Sequence, residues 1–132
     1  MGMSKAEATA CILNAKQAKG LSFAEIGEAT GCDKVWIAAA IEGQASVPPE
    51  IAAKLVQLLS LDESVASALE AFPMKGCLDS TVPVDPLVYR FHEITQVYGT
   101  AMKAVIHEMF GDGIMSAIDF EIDIQRQEDP KG

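Results

Sequence analysis

The sequence predicts an α+β protein, in which an all-helical bundle is followed by a small domain of helix and strand. Apolar residues recur at the helical period through residues 1–72, prolines and glycines cluster after this region, and large apolar residues alternate with polar ones beyond Gly113. We therefore expect an N-terminal helical bundle over residues 1–76 and a C-terminal domain over residues 77–132.

The helices of the N-terminal bundle are predicted from their capping residues. Two serines are each followed three positions later by a glutamate, the spacing of a capping box, in which each residue's side chain accepts from the other's backbone N–H. An aspartate and a pair of prolines can open further helices, and glycines can end them. We expect five helices, beginning near Ser4, Ser22, Asp33, Pro48 and Asp62.

The second and third of these helices have the pattern of a helix-turn-helix, from Ser22 to Gly43 with Gly31 in the turn. A protein that reads DNA needs several cations to neutralise phosphates. This segment carries four acidic residues and one lysine, Lys34. We expect it to keep the packing of the motif without binding nucleic acid, since a fold does not by itself carry a function. A helix-turn-helix DNA-binding regulator is the alternative hypothesis.

The C-terminal domain is predicted to begin with a helix that Asp85 caps and Pro86 opens. Gly99 is expected to stop this helix, and Thr100 to start a second short one that Gly111 ends. Because a stripe of apolar residues at helical spacing is usually buried, we expect this face of the first helix to be covered by other protein. Its apolar stripe comprises Leu87, Phe91, Ile94 and Tyr98.

A strand with one solvated face is predicted from Ile114 to Ile124, where large apolar residues occupy alternate positions. Ser116 places a hydroxyl in phase with these apolar residues, so it needs a hydrogen-bonding partner. Two short helices and one strand leave apolar faces and a sheet edge uncovered. We therefore expect this domain to pair with another chain.

Three polar residues stand out in this domain. Arg90 and Glu93 lie one helical turn apart beside the apolar stripe, where their side chains can meet. On an arbitrary helix such a pair would be an exposed ion pair of little consequence. Ser116 could equally bond to a nearby backbone carbonyl. The residues alone leave these alternatives open.

The run YRFHEITQVYG…VIHEMFGDGIMSAIDF resembles the cyanase family, also called cyanate hydratases or cyanate lyases, and the likeness continues upstream through LSFAEIGEATG, IEGQASVPPEIAAKLVQLLSL and PMKGCLDSTVPVDP. The resemblance implies that Arg90, Glu93 and Ser116 are the catalytic residues. It also implies an enzyme that converts cyanate and bicarbonate to carbamate and carbon dioxide, after which carbamate decomposes to ammonia and a second carbon dioxide. Glu93 would orient Arg90 or relay a proton.

The resemblance further implies a homo-oligomer, a decamer of five dimers whose C-terminal parts intertwine and whose catalytic sites lie where subunits meet. Members of the family usually continue through a further strand and a short tail beyond Gly132. We therefore expect the 77–132 domain to lack its usual last strand. An assembly-competent but inactive fragment is one further hypothesis.

Composition excludes several other classes. The net charge is −9, from 19 acidic and 10 basic residues, so the surface repels nucleic acid and anionic membranes, and an anionic substrate needs a local cation. His92 and His107 have no companions at metal-ligand spacing, and no glycine-rich phosphate loop occurs, so neither a metal nor a cofactor is expected. The sequence contains no G-x-S-x-G motif, which disfavours a serine hydrolase.

The cysteines, together with the lack of a membrane-spanning run or a signal peptide, predict the cellular location. The three cysteines are odd in number and widely spaced, which is typical of reduced thiols rather than a disulfide framework. No apolar run is long enough for a membrane span, and no signal peptide opens the chain. We expect a cytoplasmic protein.

Overall fold

The computed structural model describes residues 2–73, 82–115, 118 and 120–131. The chain divides into two units, one formed by Met1–Gly76 with Glu121–Gly132 and the other by Cys77–Phe120. The described residues contain six α-helices. They are α1 (Lys5–Lys19), α2 (Phe23–Thr30), α3 (Lys34–Ile41), α4 (Pro49–Leu59), α5 (Glu63–Glu70) and α6 (Pro86–Phe110).

The capping residues start the helices of the first unit as predicted. Ser4 and Ser22 each form a complete capping box with the glutamate three residues later. Asp33 accepts hydrogen bonds from the backbone N–H groups of Val35 and Trp36 and so caps α3. All five helices predicted for the first half of the chain are present.

The core of the first unit is built from aliphatic side chains of all five helices. The completely buried residues include one from each of α1 to α4: Ile12, Ile26, Ile37 and Leu55. The buried hydroxyl of Thr30 donates to the Ile26 carbonyl at 2.8 Å, which satisfies it within its own helix.

Gly27 sets how closely α2 approaches the turn that leads into α3. A Cβ atom at this position would lie 2.7 Å from the backbone oxygen of Cys32 and 3.4 Å from Cα of Lys34. Both neighbours are backbone atoms, which cannot rotate away. The tight helix-turn-helix packing of α2 and α3 therefore depends on a residue without a side chain at this position.

The second unit contains α6, a single helix of 25 residues. Asp85 caps it as predicted, accepting from the backbone N–H of Val88 at 3.0 Å. The predicted break at Gly99 and the new start at Thr100 are wrong. Glycine in a helix interior costs only about 1 kcal/mol relative to alanine, which the hydrogen bonds on either side outweigh. The two predicted short helices are one continuous helix.

The predicted strand from Ile114 to Ile124 is not confirmed. Its described residues adopt no regular secondary structure, and the rest, including Ser116, lie outside the described residues. A strand is stabilised by hydrogen bonds to a neighbouring strand, and the described part of this chain contains no other strand to pair with it. Within the same described residues, no helix is both long enough and apolar enough to cross a membrane.

Candidate active site

Arg90 and Glu93 lie on the first half of α6, where the cap at Asp85 fixes the start of the helix. Nη1 of Arg90 donates a hydrogen bond to Oε1 of Glu93, which also makes the two an ion pair. The side chain of Arg90 is 69% exposed and that of Glu93 is 43% exposed. The contact predicted from their spacing is therefore present, and dissolved small molecules can reach it.

Exposed apolar residues lie beside this pair on α6. Phe91 and Ile94 follow Arg90 and Glu93 along the chain and are 62% and 50% exposed, and Val97, one turn further, is 67% exposed. No residue of α6 is buried in the single chain. The charged pair thus stands at the edge of an uncovered hydrophobic surface, where a covering partner would exclude water and strengthen the electrostatic interactions of Arg90.

The two histidines of α6 do not form a metal site with the residues described. The ring of His92 lies 5.7 Å from that of Tyr89, centroid to centroid. Nε2 of His107 lies 3.9 Å from a carboxylate oxygen of Asp112, just beyond the end of the helix. The described ranges contain no group of three or more potential metal ligands. Each histidine therefore has a local contact on or beside its own helix.

The structure brings Arg90 and Glu93, two of the three predicted catalytic residues, into contact, and the third, Ser116, lies outside the described residues. The structure also contains a polar contact that the sequence did not predict. Nζ of Lys34, in the first turn of α3, donates to Oδ1 of Asp123 at 2.6 Å. The two residues are 89 positions apart, and no local spacing signals such a pair.

Two family models match this chain and together cover nearly all of it. The model described as "Cyanate hydratase, N-terminal" matches residues 5–73. The model described as "Cyanate lyase C-terminal domain" matches residues 80–132, the part that contains Arg90, Glu93 and Ser116.

Whole proteins give the same result. A cyanate hydratase of Synechococcus sp. (strain CC9311) is 58% identical over 124 residues, which cover 94% of this chain and 83% of that protein. A cyanate hydratase of Parasynechococcus marenigrum (strain WH8102) is 56% identical over 124 residues, covering 94% of this chain and 84% of that protein.

A solved structure shares the fold. The crystal structure of cyanase from T. urticae matches with a TM-score of 0.81 and 36% sequence identity, covering 89% of this chain and 83% of that one. The bundle of five helices and the long capped helix of this chain thus define a protein of the cyanase fold class. With both family models and relatives above half identity in agreement, the chain belongs to the cyanate hydratase family.

Proposed function

We propose that this protein decomposes cyanate with bicarbonate, producing ammonia and carbon dioxide by way of carbamate. Its membership of the cyanate hydratase family supports this activity. The structural observation that carries the proposal is the hydrogen bond from Arg90 to Glu93 at the border of an exposed apolar surface.

Electrostatics assigns the main role to Arg90. Cyanate and bicarbonate are both anions, and a chain with net charge −9 does not attract them at long range. A local, permanent cation must therefore bind them. An arginine guanidinium is a permanent cation, and the planar donors of Arg90 match the paired oxygens of bicarbonate.

In the proposed reaction, an oxygen of bicarbonate attacks the carbon of cyanate. A C–O bond forms, electrons of the carbon–nitrogen bond move to nitrogen, the nitrogen takes the bicarbonate proton, and a dianionic species results. The bond between the bicarbonate carbon and the bridging oxygen then breaks and releases carbon dioxide, and the nitrogen takes a proton from solvent to give carbamate. Carbamate takes one further proton as it decomposes to ammonia and a second carbon dioxide. No covalent enzyme intermediate, metal or cofactor is needed, because the protein's task is to bring two anions together and stabilise the charge that develops.

Glu93 and Ser116 complete the proposed site. Glu93 accepts from Nη1 of Arg90 and so orients the guanidinium, leaving its other donors for the anions. Ser116 supplies a neutral hydroxyl donor to the same reacting species. Relay of a proton to the cyanate nitrogen by Glu93 is the second role to be tested.

We further propose a homo-oligomer, a decamer of five dimers, in which a second copy covers α6. Large apolar residues are exposed along the whole length of this helix, and soluble monomers rarely expose so extended an apolar surface. The exposed apolar residues include Leu87, Phe91, Ile94, Val97, Tyr98, Met102, Val105 and Met109.

We also propose that the chain is divided into domains over residues 1–76 and 77–132, and that the protein is located in the cytoplasm.

The alternative of a DNA-binding regulator gains no support. Lys34, the single cation of the helix-turn-helix segment, is engaged with the carboxylate of Asp123. Assays of one purified sample separate the two functions. Cyanate-dependent ammonia release with no duplex binding at low salt supports the enzyme, whereas sequence-selective duplex binding without ammonia release would replace it with the regulator.

A further inference from the structure

The side-chain amine of Lys5 ties three parts of the first unit together. Nζ of Lys5, in the first turn of α1, donates to the carbonyl of Leu69 at 2.9 Å and to the carbonyl of Ala45 at 3.1 Å. Leu69 lies in the last turn of α5, and Ala45 lies in the connection between α3 and α4. One partly buried amine therefore joins segments that are 40 and 64 residues away in the chain.

Three exposed lysines provide a comparison with Lys5. Lys19, at the other end of α1, donates to the Leu58 carbonyl and the Ser60 hydroxyl, each at 3.1 Å, but this contact is exposed. Lys54 and Lys103 are exposed and make no hydrogen bond with the described residues. Loss of the Lys5 amine should therefore affect the fold more than loss of either exposed amine.

Cyanate reacts with amines without help from an enzyme. Its protonated form, isocyanic acid, is attacked at carbon by the lone pair of a neutral amine. A new N–C bond forms, the π electrons of the C=N bond move to the nitrogen of isocyanic acid, and that nitrogen takes the proton that the amine loses. The product is an uncharged urea, and the addition needs no leaving group, oxidant or reductant.

We propose that Lys5 is a site at which cyanate modifies this protein, by carbamoylation of Nζ, and that the modification loosens α1 from α5. The proposal rests on the proposed function in one respect, which is that cyanate is the molecule the protein meets. The amine of Lys5 donates one N–H bond to each of the two carbonyls. When the amine loses its third proton it can keep both hydrogen bonds, and the lone pair that replaces this proton is available for attack. Burial lowers the pKa of Lys5, which increases the neutral fraction at a given pH.

The modification would remove interactions that the unmodified amine makes. Nζ keeps one N–H after carbamoylation, so it can no longer donate to both carbonyls. The two other N–H bonds of the urea lie on a new nitrogen one carbon further out, away from the position of the original amine. The positive charge near the carboxyl end of α5 is also lost. The Leu69 carbonyl still accepts from the backbone N–H of Val47 at 2.9 Å. The expected effect is therefore a less stable bundle rather than an unfolded one.

The test uses the full chain with Arg90→Leu, so that turnover does not consume the cyanate. Samples are incubated with increasing cyanate, the occupancy at each lysine is measured by peptide mass spectrometry, and the melting temperature is recorded. We expect the melting temperature to fall by roughly 4–8 °C as Lys5 becomes modified. Adding Lys5→Arg, which keeps the charge and the donors, should prevent this fall, and the matched change Lys54→Arg should not.

Two results would overturn the proposal: Lys5 staying unmodified at cyanate concentrations that modify Lys54, or the same fall in melting temperature with Lys5→Arg present. If Lys5→Arg does not fold, the correlation between Lys5 occupancy and melting temperature in the Arg90→Leu protein decides. Neither readout depends on turnover, so failure here leaves the proposed cyanate activity intact.

Discussion

Arg90 donates from Nη1 to Oε1 of Glu93, one turn further along α6, and the two side chains form a single charged unit. The carboxylate uses one of the five N–H donors of the guanidinium, and the exposed remainder faces solvent. A guanidinium held in this way is preorganised for a carboxylate-like anion, because part of the entropy cost of ordering its long side chain has already been met before the anion binds.

Replacing Arg90 should remove most of the activity. Arg90→Leu deletes the cation that we propose binds both anions, and we expect kcat to fall by about 10²–10³-fold or more, as for loss of a key charge-stabilising donor. Arg90→Lys should recover little, since an ammonium lacks the planar paired donors. The matched control is Arg126→Leu, which removes an 89% exposed arginine outside α6. Parental ammonia release by Arg90→Leu would remove Arg90 from the site.

Glu93 can be tested for its two proposed roles with a pair of substitutions. Glu93→Gln keeps an oxygen that accepts from Arg90 but cannot relay a proton, whereas Glu93→Leu loses both functions. Loss of a general acid or base costs about 10²–10⁴-fold. If Glu93 orients Arg90, the loss of kcat in Glu93→Gln should be smaller than this and smaller than in Glu93→Leu. Equal, large losses would indicate proton relay, and Glu108→Gln, on the same helix, is the control.

Gly27→Ala should destabilise the helical bundle. The added Cβ would lie 2.7 Å from the Cys32 carbonyl oxygen, so α2 and the following turn must move apart. Overpacking of this kind costs about 1–3 kcal/mol. Denaturant unfolding should show this loss, while Gly2→Ala, where no atom lies within 4 Å of the added Cβ, should leave the unfolding free energy unchanged. A neutral Gly27→Ala would contradict the close approach.

A charge on the apolar surface of α6 should disrupt the proposed assembly. Ile94 is 50% exposed in the single chain, and Ile94→Lys would bury an unpaired ammonium if a second copy covers this surface. We expect light scattering to report a smaller species. Gln96→Lys adds the same charge at an exposed polar position of the same helix and should keep the parental size. An unchanged mass for Ile94→Lys would show that this surface stays uncovered.

The Lys34–Asp123 pair should make stability depend on pH in the acid range. The hydrogen bond from Lys34, followed by that from Gln125, lowers the pKa of Asp123. A lowered carboxyl pKa contributes stability above the unfolded-state value of about 3.9, and this contribution is lost as the pH falls through the lower folded-state value.

The stability difference between the parent and Asp123→Asn should therefore be largest near neutral pH and should disappear once the pH falls below the lowered folded-state pKa of Asp123. Thermal unfolding across this range measures it, with Glu121→Gln as the control in the same segment. A difference that is the same at every pH would mean that the pair contributes nothing through charge.

Local signals in the sequence predicted most of the fold. Ser4, Ser22 and Asp33 start their helices because their side chains satisfy N–H groups only a few residues away, an interaction that the sequence alone encodes. Gly99 misled the prediction, since a glycine can end a helix or lie within one, and the choice depends on the strength of the surrounding helix. The predicted strand could not be decided locally, because strand formation depends on a partner.

The part of the candidate site that depends on local spacing was also predictable from the sequence. Arg90 and Glu93 meet because residues one turn apart share a face of a helix, which spacing alone reveals. The links from Lys5 to Leu69 and from Lys34 to Asp123 join residues 64 and 89 positions apart, so only the tertiary structure shows them. The role of Ser116 stays a prediction.

The bicarbonate dependence of ammonia release tests the central claim most directly. The purified protein is supplied with cyanate in buffer freed of carbon dioxide, and bicarbonate is then added while ammonia is followed in a coupled assay. For the parent we predict negligible ammonia release before bicarbonate is added and rapid release afterwards. For the double variant that combines Ser116→Ala with Arg90→Leu, we predict no ammonia above the blank in either condition. Ammonia release that is independent of bicarbonate, or that persists in the double variant, would contradict the account.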